Sequence, residues 1–130
     1  MILVDSSLYI HWIRQRRDPA EVLRPWLELD RALICGVIRC EVLRGLRHPK
    51  AHRRMSDLFD ILVDVPTDAA IWHATESLAW QLDRQGQVLP LTDLVIACCA
   101  LQAGGILITT DGHFQHIPGL RLQESLPSVV

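Results

Sequence analysis

The sequence lacks the features of secreted, membrane-spanning and disordered proteins. An acid at Asp5 comes before a basic n-region or an apolar h-region could form, which is not the pattern of a signal peptide. The uncharged run over 94–110 is shorter than the roughly 20 residues that a membrane helix needs, and a glycine pair interrupts it. No low-complexity segment or internal repeat is present, and 49% of the residues are hydrophobic. We therefore expect one globular domain over residues 1–130, with a loose tail after Glu124 and no membrane association.

Cysteines are few and lack the spacing of a metal site. The four are Cys35, Cys40, Cys98 and Cys99, and none belongs to a C-x-x-C pair. Neighbours on a helix point about 100° apart, so Cys98 and Cys99 suit neither a disulfide between them nor a shared metal. We expect buried, reduced thiols and hence a cytoplasmic protein.

The net charge is only −2, but the charged residues are unevenly distributed. Residues 1–60 hold 11 Lys and Arg against 8 Asp and Glu, whereas residues 61–130 hold 2 against 7. One short segment contains most of the basic excess: Arg39, Arg44, Arg47, Lys50, Arg53 and Arg54. Such a segment is either a solvated helical surface or a binding surface for a phosphate backbone, and charge alone leaves both interpretations open.

Short apolar strands alternate with helices along the chain. Strands are predicted at 2–4, 32–35, 61–63 and 106–108, with a weaker candidate at 120–122. Helices are predicted over about 6–16, 19–29, 37–46, 49–59 and 68–85, with a last one after Pro90. Strands that are apolar throughout indicate a parallel sheet covered on both faces. The predicted fold class is therefore α/β, a three-layer α/β/α sandwich with a mostly parallel sheet of four to five strands.

Four acids stand out by their positions. Two follow the ends of predicted strands, and two lie on helix faces where burying a carboxylate is energetically unfavourable. Asp5 and Asp111 each follow a strand, and their structural alternatives are a helix cap and an Asp-Gly turn. Glu41 lies among the core-facing positions of its helix, where the alternative is an internal ion pair with Arg44. Asp93 opens an apolar helix and aligns with small residues, and the alternative there is an N-cap.

These four acids are placed to meet at one edge of a parallel sheet, beyond the carboxyl ends of the strands. Several carboxylates in one pocket repel one another unless a cation joins them. Oxygen ligands without a local His or Cys partner are the set that suits Mg²⁺ or Mn²⁺. The sequence therefore predicts a divalent cation site of the kind that usually serves phosphate chemistry.

Four motifs, in their order along the chain, resemble those of the PIN-domain family, and in particular those of the small VapC-type toxins of type II toxin-antitoxin pairs. The motifs are "ILVDSS", "VIRCEVLRGL", "LTDLVIACCA" and "TTDGHF", and the resemblance runs from Ile2 to about Leu122. It implies a Mg²⁺- or Mn²⁺-dependent endoribonuclease that hydrolyses RNA phosphodiesters with metal-activated water. The catalytic and metal-binding acids that it implies are Asp5, Glu41, Asp93 and Asp111.

The resemblance also implies partners and further site residues. Ser6 and Thr109 match small hydroxyl positions near the site, while His113 stands where many relatives carry a further acid. The implied partners are an RNA substrate, a cognate antitoxin protein and a second copy of the chain in a homodimer. The residues predicted to bind RNA are Arg39, Arg44, Arg47, Arg53 and Arg54. The residues predicted to bind the antitoxin are Leu8, Trp12, Leu23, Trp26 and Leu27.

Three other kinds of protein share parts of this pattern. A receiver-type signalling domain needs a Lys after its last strand, and the one Lys of the chain is Lys50. A nucleotide-binding Rossmann domain needs a G-x-G-x-x-G motif after its first strand, which the sequence lacks. A catalytically inert PIN-like module that binds RNA or protein remains the alternative function.

Overall fold

Five parallel strands form a single sheet in this computed structural model, which describes residues 1–129; Val130, the end of the predicted domain, lies outside the described residues. The strands are β1 (Ile2–Val4), β2 (Ala32–Ile34), β3 (Val63–Asp64), β4 (Ile106–Ile108) and β5 (Arg121–Gln123). Their order is β3-β2-β1-β4-β5, and all neighbouring pairs are parallel. The chain order reverses at β1, which places the expected ligand crevice at the carboxyl ends of β1 and β4.

Helices cover both faces of this sheet, so the predicted three-layer α/β/α sandwich is confirmed. The helices are α1 (Ser6–Arg14), α2 (Pro19–Glu28), α3 (Gly36–Leu43), α4 (Pro49–Ile61), α5 (Ala69–Arg84) and α6 (Leu91–Ala103), with a 3₁₀ helix at Gly112–Phe114. Asp5, Asp18 and Asp68 precede α1, α2 and α5, and each side chain accepts a hydrogen bond from a backbone N–H of its helix. These caps explain where three of the helices begin.

The predicted position of the third strand is wrong. Helix α4 continues through Ile61, and β3 is confined to Val63–Asp64. Ile61 is 65% exposed, whereas Leu62 is buried, so the apolar run Ile61-Leu62-Val63 does not enter the sheet as one segment. A short apolar run fits the end of an amphipathic helix as well as it fits a strand, and here the helical stripe of α4 decides between them.

The middle of helix α6 is buried on all sides, as its apolar composition predicts. Every residue from Leu94 to Ala100 is buried, and the helix packs against α5, α3 and β4. It ends at Gly104, which has a left-handed backbone with φ of 65°. Because β4 follows almost at once and the helix returns along the sheet, the beginning of α6 lies at the carboxyl edge of β4. That geometry brings Asp93 to the edge where Asp5 and Asp111 lie.

Two smaller features differ from the sequence-based expectations. Cys40 is exposed on α3, so the prediction of four buried thiols is wrong for it, whereas the other three cysteines are buried and none of the four forms a disulfide. Beyond Glu124, where a loose tail was expected, Leu126 and Val129 pack against the core. Within residues 1–129, no helix combines the length and the apolar character that crossing a bilayer requires.

Candidate metal centre

Asp5 is a buried acid at the centre of the carboxyl edge, with an exposed fraction of 5%. One carboxylate oxygen accepts a hydrogen bond from the backbone N–H of Ser6 at 2.9 Å, which caps α1. The other oxygen accepts hydrogen bonds from the hydroxyls of Ser7 and Thr109, each at 2.9 Å. Capping therefore holds the Asp5 carboxylate in one orientation at the sheet edge.

Thr109 connects two of the acids through a single hydroxyl. Its Oγ1 donates to Asp5 and accepts a hydrogen bond from the backbone N–H of Asp111 at 3.0 Å. Asp111 in turn caps the 3₁₀ helix by accepting from the backbone N–H of His113 at 2.9 Å. The turn predicted for Asp111 is thus present, and it orients the carboxylate toward the same edge as Asp5.

Glu41 reaches the site from α3 and is half-buried. Its Oε1 accepts a hydrogen bond from the Ser6 hydroxyl at 3.2 Å. Burial raises the pKa of Glu41, and the negative charges of Asp5 and Asp93 raise it further, while the Ser6 hydrogen bond and Arg44 oppose the shift. The carboxylate therefore lies within the electrostatic reach of two other acids, and Arg44 offsets only part of their repulsion.

Asp93 lies in the first turn of α6 and does not cap it. The N-cap residue is Pro90, which makes no side-chain capping bond, and Asp93 is the third residue of the helix. Burial raises the pKa of Asp93 most, and the charges of Asp111 and Asp5 add to it, against a hydrogen bond from His113. The alternative that Asp93 is simply a helix cap is wrong, since its side chain faces the other acids.

His113 joins this group, although sequence reasoning gave it no role. Its Nδ1 lies 2.9 Å from Asp93 Oδ2 and 3.5 Å from Asp111 Oδ1. The hydrogen bond to Asp93 raises the pKa of His113, and the charge of Asp111 adds to the shift. The one signal in the sequence was its position two residues beyond Asp111, because the partner Asp93 is 20 residues away along the chain.

The donor set fits a divalent cation. One donor atom each from Asp93, Asp111 and His113 lies within 4.8 Å of the other two. The charge of Asp5 acts on both Asp93 and Glu41, so these acids lie near the same space. Burial is the largest cause of the raised pKa values of Glu41 and Asp93, and the negative charges of neighbouring carboxylates add to both shifts. A hard cation would balance these negative charges, and carboxylate oxygens are its preferred ligands.

The repulsion at Glu41 gives a testable dependence of stability on pH in metal-free protein. Because the pKa of folded Glu41 lies above its ordinary value of 4.5, its contribution to stability falls as pH rises through the raised value. In EDTA at pH 7, Glu41→Gln should unfold about 2 to 4 °C above wild type, a modest gain because solvent screens a half-buried group. Thermal unfolding from pH 7 down to pH 4 should show this gap closing.

Glu124→Gln, which removes an exposed carboxylate beyond β5, is the matched control and should unfold at the wild-type temperature in EDTA at pH 7. A Glu41→Gln protein that is less stable than wild type at pH 7 would contradict the repulsion between these acids.

Comparison with known protein families identifies the family of this chain. A protein-family model described as PIN domain matches residues 2–120. The chain belongs to the PIN-domain family. Among curated proteins, none is significantly similar in sequence to this PIN domain.

Solved structures share the fold of this PIN domain at low sequence identity. VapBC2 from Rickettsia felis, bound to a DNA fragment from its promoter, has a TM-score of 0.77 at 19% identity, covering 95% of this chain and 98% of that chain. DNA-bound VapBC from Salmonella typhimurium has a TM-score of 0.75 at 21% identity, covering 94% and 96%. VapBC-1 from nontypeable Haemophilus influenzae has a TM-score of 0.74 at 22% identity, covering 95% and 97%.

The predicted RNA-binding arginines fall into two groups. Arg39 is partly buried, forms a 2.9 Å ion pair with Asp60 and lies over the ring of Phe59 at 5.6 Å. Its guanidinium is therefore engaged within the protein, and the prediction that it binds RNA is not favoured. The side chains of the other four are exposed: Arg44, Arg47, Arg53 and Arg54.

The predicted antitoxin-binding residues lie mostly in the core. Leu23 is 0% exposed, and Trp26 is also buried, because this side of α2 faces inward toward β2. A role of Leu23 in a surface groove is therefore wrong in this conformation. Leu8 and Trp12 are buried except for edges that line a cavity of about 630 Å³. Leu27 is partly buried and packs against the core.

Proposed function

We propose that this PIN domain is a Mg²⁺- or Mn²⁺-dependent endoribonuclease and the toxin of a VapBC-type toxin-antitoxin pair. The observation that carries the proposal is the convergence of four acids, Asp5, Glu41, Asp93 and Asp111, at the carboxyl edge of β1 and β4. Membership of the PIN family supports it, as does the likeness in fold to proteins named VapBC. The cytoplasmic location and the homodimer remain predictions from the sequence.

The residues of the chain have distinct tasks in this proposal. A divalent cation held by the four acids would offset the charge of the scissile phosphate and lower the pKa of bound water. Asp5 is held by three hydrogen bonds and so keeps its orientation without reorganisation during the reaction. Glu41 uses Oε1 to accept from Ser6, which leaves Oε2 to accept a proton from the attacking water. In-line displacement then leaves a 5′-phosphate and a 3′-hydroxyl.

Cleavage of RNA by the purified chain, free of any antitoxin, tests the proposal. Total RNA is incubated with the protein in Mg²⁺ or Mn²⁺ and, in parallel, in EDTA. Discrete fragments that form with the cation and not in EDTA would support a metal-dependent nuclease. RNA that is bound but left intact under all conditions would favour the alternative, an inert PIN-like binding module.

The exposed arginines should contribute binding energy for the RNA backbone. Arg44 acts electrostatically on Glu41, so it lies near the site, and Arg47 and Arg53 continue the exposed basic segment along the chain. Each phosphate contact adds about 0.7 to the salt slope for a single strand. We therefore expect the triple variant Arg44→Gln, Arg47→Gln, Arg53→Gln to lower the slope of log Kd against log salt by about 2.

The measurement is fluorescence anisotropy with a single-stranded RNA in Ca²⁺ or EDTA, at several salt concentrations. Arg39→Gln is the matched control, since its guanidinium pairs with Asp60, and it should leave the salt slope unchanged. A triple variant with the wild-type slope would return this segment to the alternative of a solvated helical surface.

The antitoxin is a proposed partner, and the burial of Leu23 and Trp26 favours a binding site beside Leu8 and Trp12. The edges of Leu8 and Trp12 line the cavity of about 630 Å³ together with Val22 and Leu126, which gives an apolar strip beside α1 within a lining whose residues are mostly polar. An apolar helix or strand of an antitoxin fits such a surface. Trp26→Ala would truncate the core, so variants for binding studies belong at the partly buried Val22.

A further inference from the structure

The His113 ring stands inside the acid cluster although no role follows for it from the proposed reaction. Its side chain is 53% exposed, yet Nδ1 is directed at Asp93 Oδ2 at 2.9 Å and lies 3.5 Å from Asp111 Oδ1. The main chain beneath the ring is held by the hydrogen bond from His113 N–H to Asp111 and by the fully buried side chain of Phe114. The position of the ring is thus set by a capped and anchored turn.

We propose that His113 supplies a nitrogen ligand to the cation site and shifts its preference from Mg²⁺ toward Mn²⁺. The inference rests on the proposed function, because it uses the same cation. Its basis is that Nδ1 of His113 and one oxygen each of Asp93 and Asp111 lie within 4.8 Å of one another, close enough to share one ion. A cation bound there would displace the proton that Nδ1 shares with Asp93, and the neutral ring protonated at Nε2 would then present the Nδ1 lone pair to the ion.

The choice of metal follows from the chemistry of the ligands. Mg²⁺ binds oxygen donors and gains little from imidazole, whereas transition metals such as Mn²⁺ accept a nitrogen donor more readily. With His113 the set becomes mixed, since its other members are the carboxylates of Asp5, Glu41, Asp93 and Asp111. A carboxylate at position 113 would instead give a set of oxygens alone, which favours Mg²⁺ relative to Mn²⁺.

Pulsed electron paramagnetic resonance of Mn²⁺ bound to the full chain tests the ligand directly. Wild-type protein should show modulation from an imidazole nitrogen coupled to the ion, and His113→Gln should lose it. His116→Gln is the matched control, since His116 is an exposed histidine in the same segment and outside the cluster, and it should keep the modulation. Circular dichroism confirms that each variant is folded.

Competition between the two ions tests the selectivity. Mn²⁺ binding is measured from the signal of free Mn²⁺ as Mg²⁺ is added. His113→Asp should lower the ratio of Mn²⁺ to Mg²⁺ affinity by about 10-fold, the scale on which a single shell residue affects metal affinity. An unchanged ratio would overturn the selectivity part of the proposal.

The outcomes separate this inference from the proposed function. Mn²⁺ that binds without nitrogen modulation, and whose binding is lost in Asp93→Asn, overturns the role of His113 and leaves the metal-dependent nuclease standing. Modulation that persists in His113→Gln also overturns it. Wild-type protein that binds no Mn²⁺ overturns both the nitrogen ligand and the cation site on which the proposed function depends.

Discussion

Asp93→Asn should lower the rate of RNA cleavage by about 1,000-fold, since Asp93 would help to hold a cation that would contribute several kcal/mol to transition-state stabilisation. The charge of Asp111 raises the pKa of Asp93, and the charge of Asp93 raises that of Glu41, so Asp93 interacts with both acids. Its Oδ2 is the atom that His113 contacts. Asparagine keeps the size of the side chain but removes the charge and one acceptor oxygen. The loss should therefore fall on catalysis and on cation binding.

The fold should tolerate the same change. The N-cap of α6 is Pro90, so the helix loses no capping bond when Asp93 is replaced. Because the pKa of Asp93 is raised in the folded chain, its charge is unfavourable without a cation, and the variant in EDTA should be at least as stable as wild type. Initial cleavage rates and thermal unfolding in EDTA are the two measurements.

Asp83→Asn is the matched control, because Asp83 is an exposed acid in the last turn of α5 and away from the cluster. It should cleave RNA at the wild-type rate. If Asp93→Asn cleaves RNA at a rate within a few-fold of wild type, Asp93 is not a catalytic metal ligand. The carboxylate at the start of this buried helix would then have no explanation.

Thr109→Val should lower Mn²⁺ affinity by about 10- to 100-fold, the range expected when a residue that orients metal ligands is lost. It should also lower the free energy of unfolding by about 1 to 3 kcal/mol, because a buried donor and acceptor lose their partner. Thr109 is 4% exposed, and its hydroxyl holds both Asp5 Oδ2 and the backbone N–H of Asp111. Valine keeps the shape of the side chain but makes neither bond.

Thr109→Ser distinguishes the hydroxyl from general packing. Serine restores both hydrogen bonds while removing a methyl group, so its Mn²⁺ affinity should return close to that of wild type. Thr110→Val, at the exposed neighbouring position, should leave Mn²⁺ affinity unchanged. Equal losses of affinity in Thr109→Val and Thr109→Ser would mean that the hydroxyl does not orient the acids.

The architecture could be read from the sequence because its signals are local. Apolar triplets such as Ile2–Val4 and Ile106–Ile108 are strands, and the acids that follow them lie at the carboxyl edge because parallel strands share that edge. Helix α6 was predictable because it is uniformly apolar. The predicted position of the third strand was wrong because Ile61 fits the last turn of α4 as well as it fits a strand.

The contacts that could not be read from the sequence depend on how distant segments pack. Arg39 is one of several similar arginines, and only the packing of α3 on α4 brings it to Asp60. His113 meets Asp93 because α6 and the 3₁₀ helix pack together at the sheet edge. The helical period predicts the apolar stripe of α2. It does not predict that Leu23, within that stripe, is fully buried.

Mapping the ends of the RNA products tests the central claim most directly. A single-stranded RNA cleaved by purified wild-type protein in Mg²⁺ or Mn²⁺ should carry 5′-phosphate and 3′-hydroxyl ends, and cleavage should stop in EDTA, because in the proposed reaction water would attack the phosphate with the help of a cation held by Asp5, Glu41, Asp93 and Asp111. Products with 2′,3′-cyclic phosphate and 5′-hydroxyl ends that form equally well in EDTA would contradict it, since the ribose 2′-hydroxyl would then be the nucleophile and the four acids would hold no catalytic metal.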